Sequence, residues 1–192
     1  MQNPYVVGKY CYLRHPTLED AEGPWHEWFS DEETTRYLNL RYMPNSKESQ
    51  IDFLQSTRNS SNRVVLSIVE LETDQHIGVC NLSSINWVHG YTDMALIIGD
   101  KAFRTGPHIV DATSLLLRVA FRRLNLRMVK SDYVVTNEGS EIIHRLFRFK
   151  KTGQIDDIFW DGEAYVASAQ TVLRREDWMR RQKKLTSKAS QG

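Results

Sequence analysis

The chain has 192 residues and a mass of 22.4 kDa, enough for one ordinary domain that buries roughly 70% of its unfolded surface without disulfides or structural metals. Its 25 Lys and Arg residues nearly balance 24 Asp and Glu residues, and the formal net charge of +1 argues against a dedicated nucleic-acid-binding protein. A hydrophobic content of 41% argues against a disordered chain or a membrane protein, and two cysteines exclude a disulfide scaffold and favour a reducing compartment.

The N-terminal sequence, Met1-Gln2-Asn3-Pro4, lacks the charged segment and the apolar run of a signal peptide. The longest apolar run, Met94 to Ile98, is too short to span a bilayer. We therefore expect a cytoplasmic protein without a membrane partner.

The first third of the chain is predicted to begin with a strand and continue with short helices. The Val- and Tyr-rich segment from Tyr5 to Leu13 is typical of a strand. Thr17 is a suitable N-cap for the helix that follows, and Asp31 to Leu38 form a second short helical stretch. Asn45 followed by Glu48 predicts a capping box at the start of a longer helix.

The middle of the chain changes to the alternating pattern of strands. Val64 to Leu71, Ile77 to Trp87 and Tyr91 to Ile98 are separated by short polar or Gly-containing turns. Three strands joined by tight turns predict an antiparallel meander.

The remaining elements alternate between helices and strands. A Gly-bounded loop precedes the first of these helices, and a strand and a second helix come after it. A hairpin with Asp161-Gly162 at its turn then closes the sheet, and a basic helix ends the chain. The predicted segments are the helix Ile109 to Leu124, the strand Met128 to Val135, the helix Ser140 to Phe147, the hairpin Ile155 to Trp160 with Ala164 to Leu173, and the helix Arg174 to Leu185. The order predicts an α+β fold.

The loop before the long helix is the most informative segment of the sequence. A helix N-terminus offers unpaired backbone N–H groups and a partial positive charge, which suit a phosphate or pyrophosphate. Arg104 would add a cation, and Gly106 would let a ligand approach the backbone closely. An ordinary connection between a strand and a helix is the alternative interpretation.

The order of elements resembles that of the GNAT superfamily of acyl-CoA-dependent N-acyltransferases. Local sequences agree over about residues 8 to 178: Asp93-Met94-Ala95-Leu96-Ile97-Ile98-Gly99, Ala120-Phe121-Arg122-Arg123-Leu124-Asn125-Leu126, Asn137 with Ser140, and Arg175-Glu176-Asp177-Trp178. The resemblance implies a mixed, mostly antiparallel, twisted sheet that is splayed between the fourth and fifth predicted strands and flanked by helices. It also implies one acyltransferase domain over residues 1–178, with 179–192 as a basic helix end and polar tail.

The resemblance implies acetyl-CoA as co-substrate and assigns residues to its binding. The pantetheine would pair with the backbone of Leu96, Ile97 and Ile98, and Asn137 matches a cofactor- or water-binding Asn. The pyrophosphate would lie on a loop and helix end that contain Arg104, Thr105, Gly106, His108, Ile109 and Val110.

The phosphate loop departs from the family pattern Arg/Gln-x-x-Gly-x-Gly/Ala, because this chain reads Phe103-Arg104-Thr105-Gly106-Pro107-His108. Pro107 removes one amide donor, and His108 would either crowd the pyrophosphate or, if protonated, pair with it. A non-catalytic binding module that has lost part of this loop is therefore an alternative function.

Two residues are candidates for proton transfer. His144 lies seven residues after Asn137, where many relatives carry a Tyr that protonates the departing thiolate. Asp93 lies where relatives often carry a Glu that acts as general base. A structural His on an amphipathic helix and an exposed Asp near a turn are the respective alternatives.

Aromatic planes with polar edges suit a sugar or nucleotide acceptor, although aromatics at helical spacing also build cores. The segment from Ser84 to Tyr91 is similar to a region of nucleotide-aminosugar N-acetyltransferases, which favours a nucleotide-linked amino sugar over a ribosomal-protein-like N-terminal amine. The six histidines show no metal-ligand spacing, and a homodimer is compatible with the sequence. The candidate acceptor-binding residues are Trp25, His26, Trp28, Tyr37, Asn86 and Trp87.

Overall fold

The computed structural model describes residues 1–104 and 106–189. They form two compact units, Met1–Ile85 with Met94–Val119, and Asn86–Asp93 with the chain from Ala120 onward. No helix in the described part of the chain is long and apolar enough to cross a membrane.

The first unit contains an antiparallel sheet in which neighbouring strands follow the chain order. Strands β1 (Val6–Val7), β2 (Cys11–Arg14), β3 (Val64–Glu70) and β4 (His76–Asn86) pair in sequence, and β5 (Tyr91–Ile98) lies next to β4. The predicted meander is confirmed.

The single strand predicted from Tyr5 to Leu13 is wrong, because the segment folds back as the β1–β2 hairpin. Gly8 N–H donates to the Cys11 carbonyl at 2.9 Å and closes the turn. A Cβ on Gly8 would lie 2.3 Å from a carboxylate oxygen of Asp111, so only glycine leaves room for that side chain.

Several helices of the first unit begin at polar caps. Helix α1 (Leu18–Glu22) starts with the predicted cap at Thr17, whose hydroxyl accepts from the Asp20 amide in a capping box. Helices α2 (Trp25–Ser30) and α3 (Glu32–Thr35) follow. Helix α3 ends three residues before the predicted Leu38, because residues 36–38 form a turn and a bend ahead of a 3₁₀ turn over Asn39–Tyr42. Helix α4 (Lys47–Arg58) is capped by Ser46 rather than by the predicted Asn45.

The core of this unit lies between helices α1, α2 and α4 and strands β3 and β4. Its buried residues are Ala21, Trp25, Trp28, Leu54, Val65 and Val79. The Trp28 ring covers Gly99, where a Cβ would lie 2.0 Å from the ring, so a side chain at this position would displace the tryptophan.

A buried ion pair joins β2 to α1. Both terminal nitrogens of Arg14 donate to the Asp20 carboxylate, at 2.6 and 2.8 Å, and Ser67 Oγ donates to it at 2.7 Å. Burial alone would raise the pKa of Asp20. The hydrogen bonds from Arg14, the nearby His76 ring and the hydrogen bonds from the Thr17 amide and Ser67 together outweigh burial and lower the pKa below its ordinary value of 3.8.

The second unit is organised around strand β9 (Tyr165–Arg174), which pairs antiparallel with β6 (Met128–Lys130), β7 (Tyr133–Val134) and β8 (Lys150–Trp160). The first three residues of β5 pair with β6 in parallel, ending with Asp93 opposite Lys130. Of the two predicted strands between which the sheet was expected to splay, the fourth therefore corresponds to β5 and the fifth to β6 and β7.

The strand predicted from Met128 to Val135 is interrupted between β6 and β7. Ser131 N–H donates to the Thr171 carbonyl, and the Asp132 carboxylate accepts the Thr171 amide at 3.4 Å. These bonds keep the segment beside β9 without continuous strand pairing. The predicted hairpin turn is confirmed, because Asp161 N–H donates to the Ala164 carbonyl and Gly162 has a φ of 112°.

Helices α5 (Pro107–Arg118), α6 (Glu138–Phe147) and α7 (Arg175–Ala189) complete the fold of the described residues. Helix α5 belongs to the first unit and continues as a π-helical turn over Val119–Arg123. Helices α6 and α7 belong to the second unit, where the ring of Trp178 packs 5.4 Å from Phe121.

We expect Asp20→Asn to lower the free energy of unfolding by about 3 kcal/mol at pH 7, because it leaves Arg14 buried without a counter-charge. The exposed Asp52→Asn on α4 is the matched control and should change it by less than about 0.5 kcal/mol. Urea unfolding measures both values, and equal effects would contradict this role.

The same pair predicts a direction for acid unfolding. A carboxyl whose pKa is lowered by folding stabilises the native state above its ordinary pKa, and that contribution is lost as the pH falls below 3.8. The Asp20→Asn variant should therefore lose less stability than the parent between pH 5 and pH 3, a range of about two units, in urea unfolding at each pH. Parallel losses would exclude Asp20 as a source of the acid sensitivity.

Candidate active site

The N-terminus of helix α5 is open to a ligand. Gly106 precedes the helix with φ 115° and ψ −154°, a backbone conformation that is essentially restricted to glycine. A Cβ placed on Gly106 would meet no atom of the described residues within 4 Å, so the space above this residue is open. None of the side chains described in the structure caps the helix, and Pro107 at its first position has no N–H. The donors that remain for an anion are the backbone amides of Gly106, His108 and Ile109.

Asp111 holds this helix against the β1–β2 hairpin. One oxygen of its carboxylate accepts the backbone amides of Lys9, Tyr10 and Cys11 at 2.7, 2.7 and 3.1 Å. Three amide donors on one charged oxygen fix the position of α5 relative to β2. No local signal in the sequence indicates this contact, because Asp111 is 100 to 102 residues from its partners.

His108 is turned toward the protein rather than toward the space above Gly106. Its ring packs edge-on against Phe103 and Tyr10, with centroid distances of 5.0 and 5.9 Å. Its Nε2 lies 3.8 Å from the Glu70 carboxylate. The expectation that His108 crowds or pairs with a pyrophosphate is therefore not met by the position of its side chain, and only its backbone amide faces the helix end.

Arg104 is likewise directed inward. Its guanidinium donates to the carbonyls of Ile98 and Gly99, at 3.3 and 3.0 Å, and to the hydroxyl of Thr34. The carboxylates of Asp31 and Glu33 lie 3.7 and 3.6 Å from it. The guanidinium therefore ties the loop to α3 and is not presented to an anion as the sequence predicted.

Lys101 completes this acidic and basic cluster. Its Nζ lies 3.2 Å from Asp31 and 2.8 Å from Glu33. Hydrogen bonds from Thr34, together with Lys101, lower the pKa of the Asp31 carboxyl to about 2. The positive charges of the loop are thus neutralised within the first unit, and the partial charge of the helix end is the attraction left for an anion.

Strand β5 contains the residues predicted to pair with the pantetheine, Leu96, Ile97 and Ile98, and these three differ in how exposed they are to a ligand. Leu96 and Ile97 are partly exposed, whereas the side chain of Ile98 is buried. The Ile98 carbonyl already accepts from Arg104. Of the helix-end residues, Ile109 and Val110 are partly exposed in the first turn of α5, and Thr105 lies outside the described residues.

Asp93 is paired with a cation of the neighbouring strand. Its carboxylate lies 2.9 Å from Lys130 Nζ, and each of the two side chains is about two-fifths exposed. The Asp93 hydrogen bond raises the pKa of Lys130 and keeps it charged. The carboxylate that would accept a proton from an amine is therefore accessible but already neutralised, and its role as base stays a prediction.

The geometry does not support His144 as the general acid, because its ring is buried and both ring nitrogens have partners. Its Nδ1 lies 2.6 Å from the Ser140 carbonyl, and its Nε2 lies 3.0 Å from Ser131 Oγ. The rings of Tyr133 and Phe149 cover it at centroid distances of 4.8 and 4.9 Å. Its Nε2 also lies 3.1 Å from the Ser131 carbonyl, and burial lowers the pKa of His144, so the ring is neutral at pH 7.

Asn137 is the N-cap of helix α6. Its side-chain oxygen accepts the amide of Ser140 at 3.0 Å. This cap positions the helix turn whose Ser140 carbonyl binds His144. The predicted pair Asn137 and Ser140 therefore has a structural function here, and a cofactor contact by Asn137 stays a prediction.

The candidate acceptor-binding residues divide between the two units. Trp25 and Trp28 are buried in the core of the first unit. His26 accompanies them on α2, with Nδ1 at 2.8 Å from the Gly23 carbonyl, and the Tyr37 ring lies under the Arg36 guanidinium.

The other two predicted acceptor-binding residues belong to the second unit. The Asn86 side chain accepts the His89 amide at 2.8 Å within the β4–β5 turn, and Trp87 is 55% exposed beside it. Of the six predicted residues, Trp25 alone lines the cavity between α2, α4 and strands β3 and β4.

A cavity of about 620 Å³ opens in the first unit between α2, the 3₁₀ turn, α4 and strands β3 and β4. This volume lies within the range of small-molecule sites. Its apolar wall includes Trp25, Phe29, Leu40, Met43, Phe53 and Val79. Its polar groups include Asn39, Asn45, Gln50, Arg63, Asn81 and Ser83.

The profile of the acetyltransferase (GNAT) domain matches residues 11–150, which is more than half of the chain. The chain belongs to the GNAT acetyltransferase family. It is an N-acyltransferase with the mixed α+β fold and mostly antiparallel sheet of that family.

This GNAT chain is 28% identical over 150 residues to the uncharacterized N-acetyltransferase p20 of Bacillus licheniformis, covering 76% of this chain and 82% of the relative. Its fold is similar to that of Vibrio cholerae spermidine N-acetyltransferase, solved with CoA and spermine, with a TM-score of 0.81, 15% identity and coverage of 88% of this chain and 98% of that one. An acetyltransferase structure from Bacillus anthracis gives a TM-score of 0.75 and 13% identity, with coverage of 89% and 98%. At these identities the solved structures show the shared fold.

Sequence reasoning missed most of the cavity of this GNAT chain. Gln50 carried a usable signal, because it lies four residues before Leu54 on the buried face of α4. A polar residue on an apolar helix face indicates a specific partner. Asn81 and Arg63 carried no comparable signal, since polar residues at strand ends are common.

We expect Gly106→Ala to lower the free energy of unfolding by about 1–2 kcal/mol, because the open space removes any clash and leaves only the strain of its positive φ. Gly139→Ala inside α6 is the control and should be neutral or stabilise by up to about 1 kcal/mol. Thermal unfolding checks both, and equal effects would contradict the strained conformation.

We expect His144→Gln to lower the free energy of unfolding by about 1–3 kcal/mol at pH 7 through loss of buried hydrogen bonds. A buried His whose pKa is lowered stabilises the native state above its ordinary pKa of 6.5, and this contribution is lost as the pH falls below it. The variant should therefore lose less stability than the parent between pH 7 and pH 5, about two units, in urea unfolding. His89→Gln in the exposed turn is the control, and an unchanged pH dependence in His144→Gln would overturn this assignment.

Proposed function

We propose that this chain transfers the acetyl group of acetyl-CoA to the primary amine of a small molecule. Family membership supports acetyl transfer. The observation that carries the proposal is the N-terminus of α5, which none of the described side chains caps, with open space above Gly106. The Vibrio cholerae enzyme of similar fold was solved with CoA and with a small amine, which supports the same two kinds of ligand here.

In this proposal, backbone groups at the start of α5 and on β5 would bind the acetyl-CoA. The amides of His108 and Ile109 and the helix dipole would hold the pyrophosphate, while Arg104 supports the loop from behind. The backbone of Leu96 and Ile97 would pair with the pantetheine amides. This binding mode depends on backbone groups rather than on side-chain cations.

Acetyl-CoA supplies an acetyl group that is activated as a thioester. The amine nitrogen forms a bond to the acetyl carbon while the carbon–sulfur bond breaks, so one proton leaves the nitrogen and one reaches the sulfur. We assign the first proton to Asp93, whose carboxylate is accessible. A thiol with an ordinary pKa of about 8.5 leaves readily as the thiolate and takes its proton from water. His144 then acts by positioning Ser131 and Ser140 rather than by donating a proton.

The favoured acceptor is an amino sugar, in nucleotide-linked form. The cavity beside Trp25 supports a small acceptor, because its volume fits a sugar and its wall offers aromatic faces with amide groups beside them. An N-terminal amine of a protein is the alternative. A homodimer and a cytoplasmic location stay predictions from the sequence, as does a single domain over residues 1–178.

We expect acetyl-CoA to bind with a dissociation constant below about 1 mM, and Gly106→Ala to weaken this binding about tenfold because its methyl group would enter the ligand space. Isothermal titration with acetyl-CoA measures both, with Gly139→Ala as the control. No heat of binding at millimolar acetyl-CoA would contradict the proposed function.

We expect Asp93→Ala to lower kcat by about 10²- to 10⁴-fold with unchanged affinity for acetyl-CoA, as loss of a general base predicts. CoA release in the presence of glucosamine or UDP-glucosamine gives the rate, and the exposed Asp156→Ala on β8 is the control. Unchanged turnover would exclude Asp93 as the base. Faster acetylation of an unmodified peptide N-terminus than of either sugar would favour the protein acceptor.

A further inference from the structure

Two buried hydrogen-bond donors of the cavity have no partner among the described residues. Trp25 Nε1 and Gln50 Nε2 are both unpaired, although Trp25 is 0% and Gln50 2% exposed. Both residues line the 620 Å³ cavity. Buried polar groups in folded proteins nearly always have a partner, so two such donors on residues that line one cavity indicate a ligand that accepts hydrogen bonds.

The orientation of Gln50 is fixed by its neighbours. Asn45 Nδ2 lies 3.4 Å from the backbone carbonyl of His26, which only accepts hydrogen bonds, so this atom of Asn45 is the amide nitrogen. The same Nδ2 donates to Gln50 Oε1 at 3.4 Å. The other atom of the Gln50 amide is therefore the nitrogen, a buried donor without a partner among the described residues on a side chain that lines the cavity.

The charge among the described residues that line the cavity is positive. None of the described residues that line it is Asp or Glu, and its charged residue is Arg63, whose guanidinium lies 5.8 Å from the Phe53 ring. The ammonium groups of a polyamine would find no carboxylate among these lining residues and would face a cation. An acceptor that carries hydroxyl, carbonyl or phosphate oxygens would find two unpaired donors and a positive charge.

We infer that this cavity is the acceptor subsite and that Trp25 and Gln50 select an oxygen-rich amine, of the amino-sugar or sugar-phosphate class, over a polyamine. The inference rests on the proposed function, since it takes the cavity occupant to be the amine that is acetylated. The inference adds to the proposed function that two donors determine acceptor selectivity. It also adds that polyamines, such as the spermine bound by the Vibrio cholerae enzyme of similar fold, are not the preferred acceptors.

The first experiment compares acceptors in the parent protein. CoA release is measured with glucosamine, glucosamine 6-phosphate, UDP-glucosamine and spermidine at fixed acetyl-CoA. We expect kcat/KM for at least one of the three sugars to exceed that for spermidine by about tenfold or more, as discrimination by buried polar groups predicts. A higher kcat/KM for spermidine than for all three sugars would overturn the inference while leaving acetyl transfer intact.

The second experiment removes each donor with little change of shape. Trp25→Phe and Gln50→Leu should raise KM for the preferred sugar about three- to tenfold each, with kcat nearly unchanged, because one hydrogen bond to the acceptor is lost. Trp178→Phe is the matched control, since Trp178 Nε1 is also buried and unpaired but lies in the second unit. Equal effects of Trp25→Phe and Trp178→Phe on KM would contradict a contact with the acceptor.

A third variant tests the sign of the selectivity. Gln50→Glu replaces the donor by a carboxylate, so KM for the sugar should rise and KM for spermidine should fall. Melting curves show whether each variant is folded, and Gln50→Leu tests the same position with an apolar side chain that suits a buried site. A fall in spermidine KM with Gln50→Leu as large as with Gln50→Glu would contradict the role of charge.

Direct binding separates this inference from the proposed function. Isothermal titration with the same sugars needs no acetyl transfer. Sugar binding that Gln50→Leu weakens would support the subsite even if no amine were acetylated, in which case the proposed function alone would fail. Absence of binding by all sugars, together with absence of turnover, would overturn both.

Discussion

The N-terminal turn of helix α5 has to be held firmly while its backbone amides stay unpaired, and the first unit is organised around that constraint. Asp111 anchors the helix to the β1–β2 turn through three amides on one carboxylate oxygen. His108 packs between Phe103 and Tyr10. Neither contact uses the amides at the helix end.

This arrangement explains the departures of the loop from the family pattern. Phe103 replaces a basic residue and His108 replaces a small one, and in the structure the two rings pack against each other. Arg104 spans from the end of β5 to α3, so its charge supports the loop instead of facing the ligand space. The loop is braced differently from the family pattern, and Gly106, which the pattern and this chain share, is the residue above which the space is open.

Local features of the fold were predictable from the sequence, and contacts between distant segments were not. The Thr17 cap and the Asp161-Gly162 turn depend on residues within a few positions of each other. The contact of Asp111 with the β1–β2 hairpin joins segments about a hundred residues apart, and it accompanies the division of one predicted strand into two. The burial of His144 depends in the same way on Ser131, thirteen residues away in the interruption between β6 and β7.

The candidate site follows the same division. The sequence predicted the strand, the glycine and the helix start around the proposed phosphate loop, because these are local signals. It could not show which way Arg104 and His108 point, because their partners lie on α3, on β3 and at the β1–β2 turn. The aromatic residues predicted to bind the acceptor divide between the core and a turn. The orientation of the Gln50 amide is set by its hydrogen bond from Asn45, which no spacing rule in the sequence reveals.

The most direct test of the account is a ¹H–¹⁵N NMR titration of the protein with CoA that follows backbone amides and arginine Nε–H groups together. The account predicts that the largest shifts occur at the amides of Gly106, His108 and Ile109, while the Nε–H of Arg104 keeps its bond to the Ile98 carbonyl and its frequency. A large shift at Arg104 Nε–H with unchanged amides at the start of α5 would contradict it.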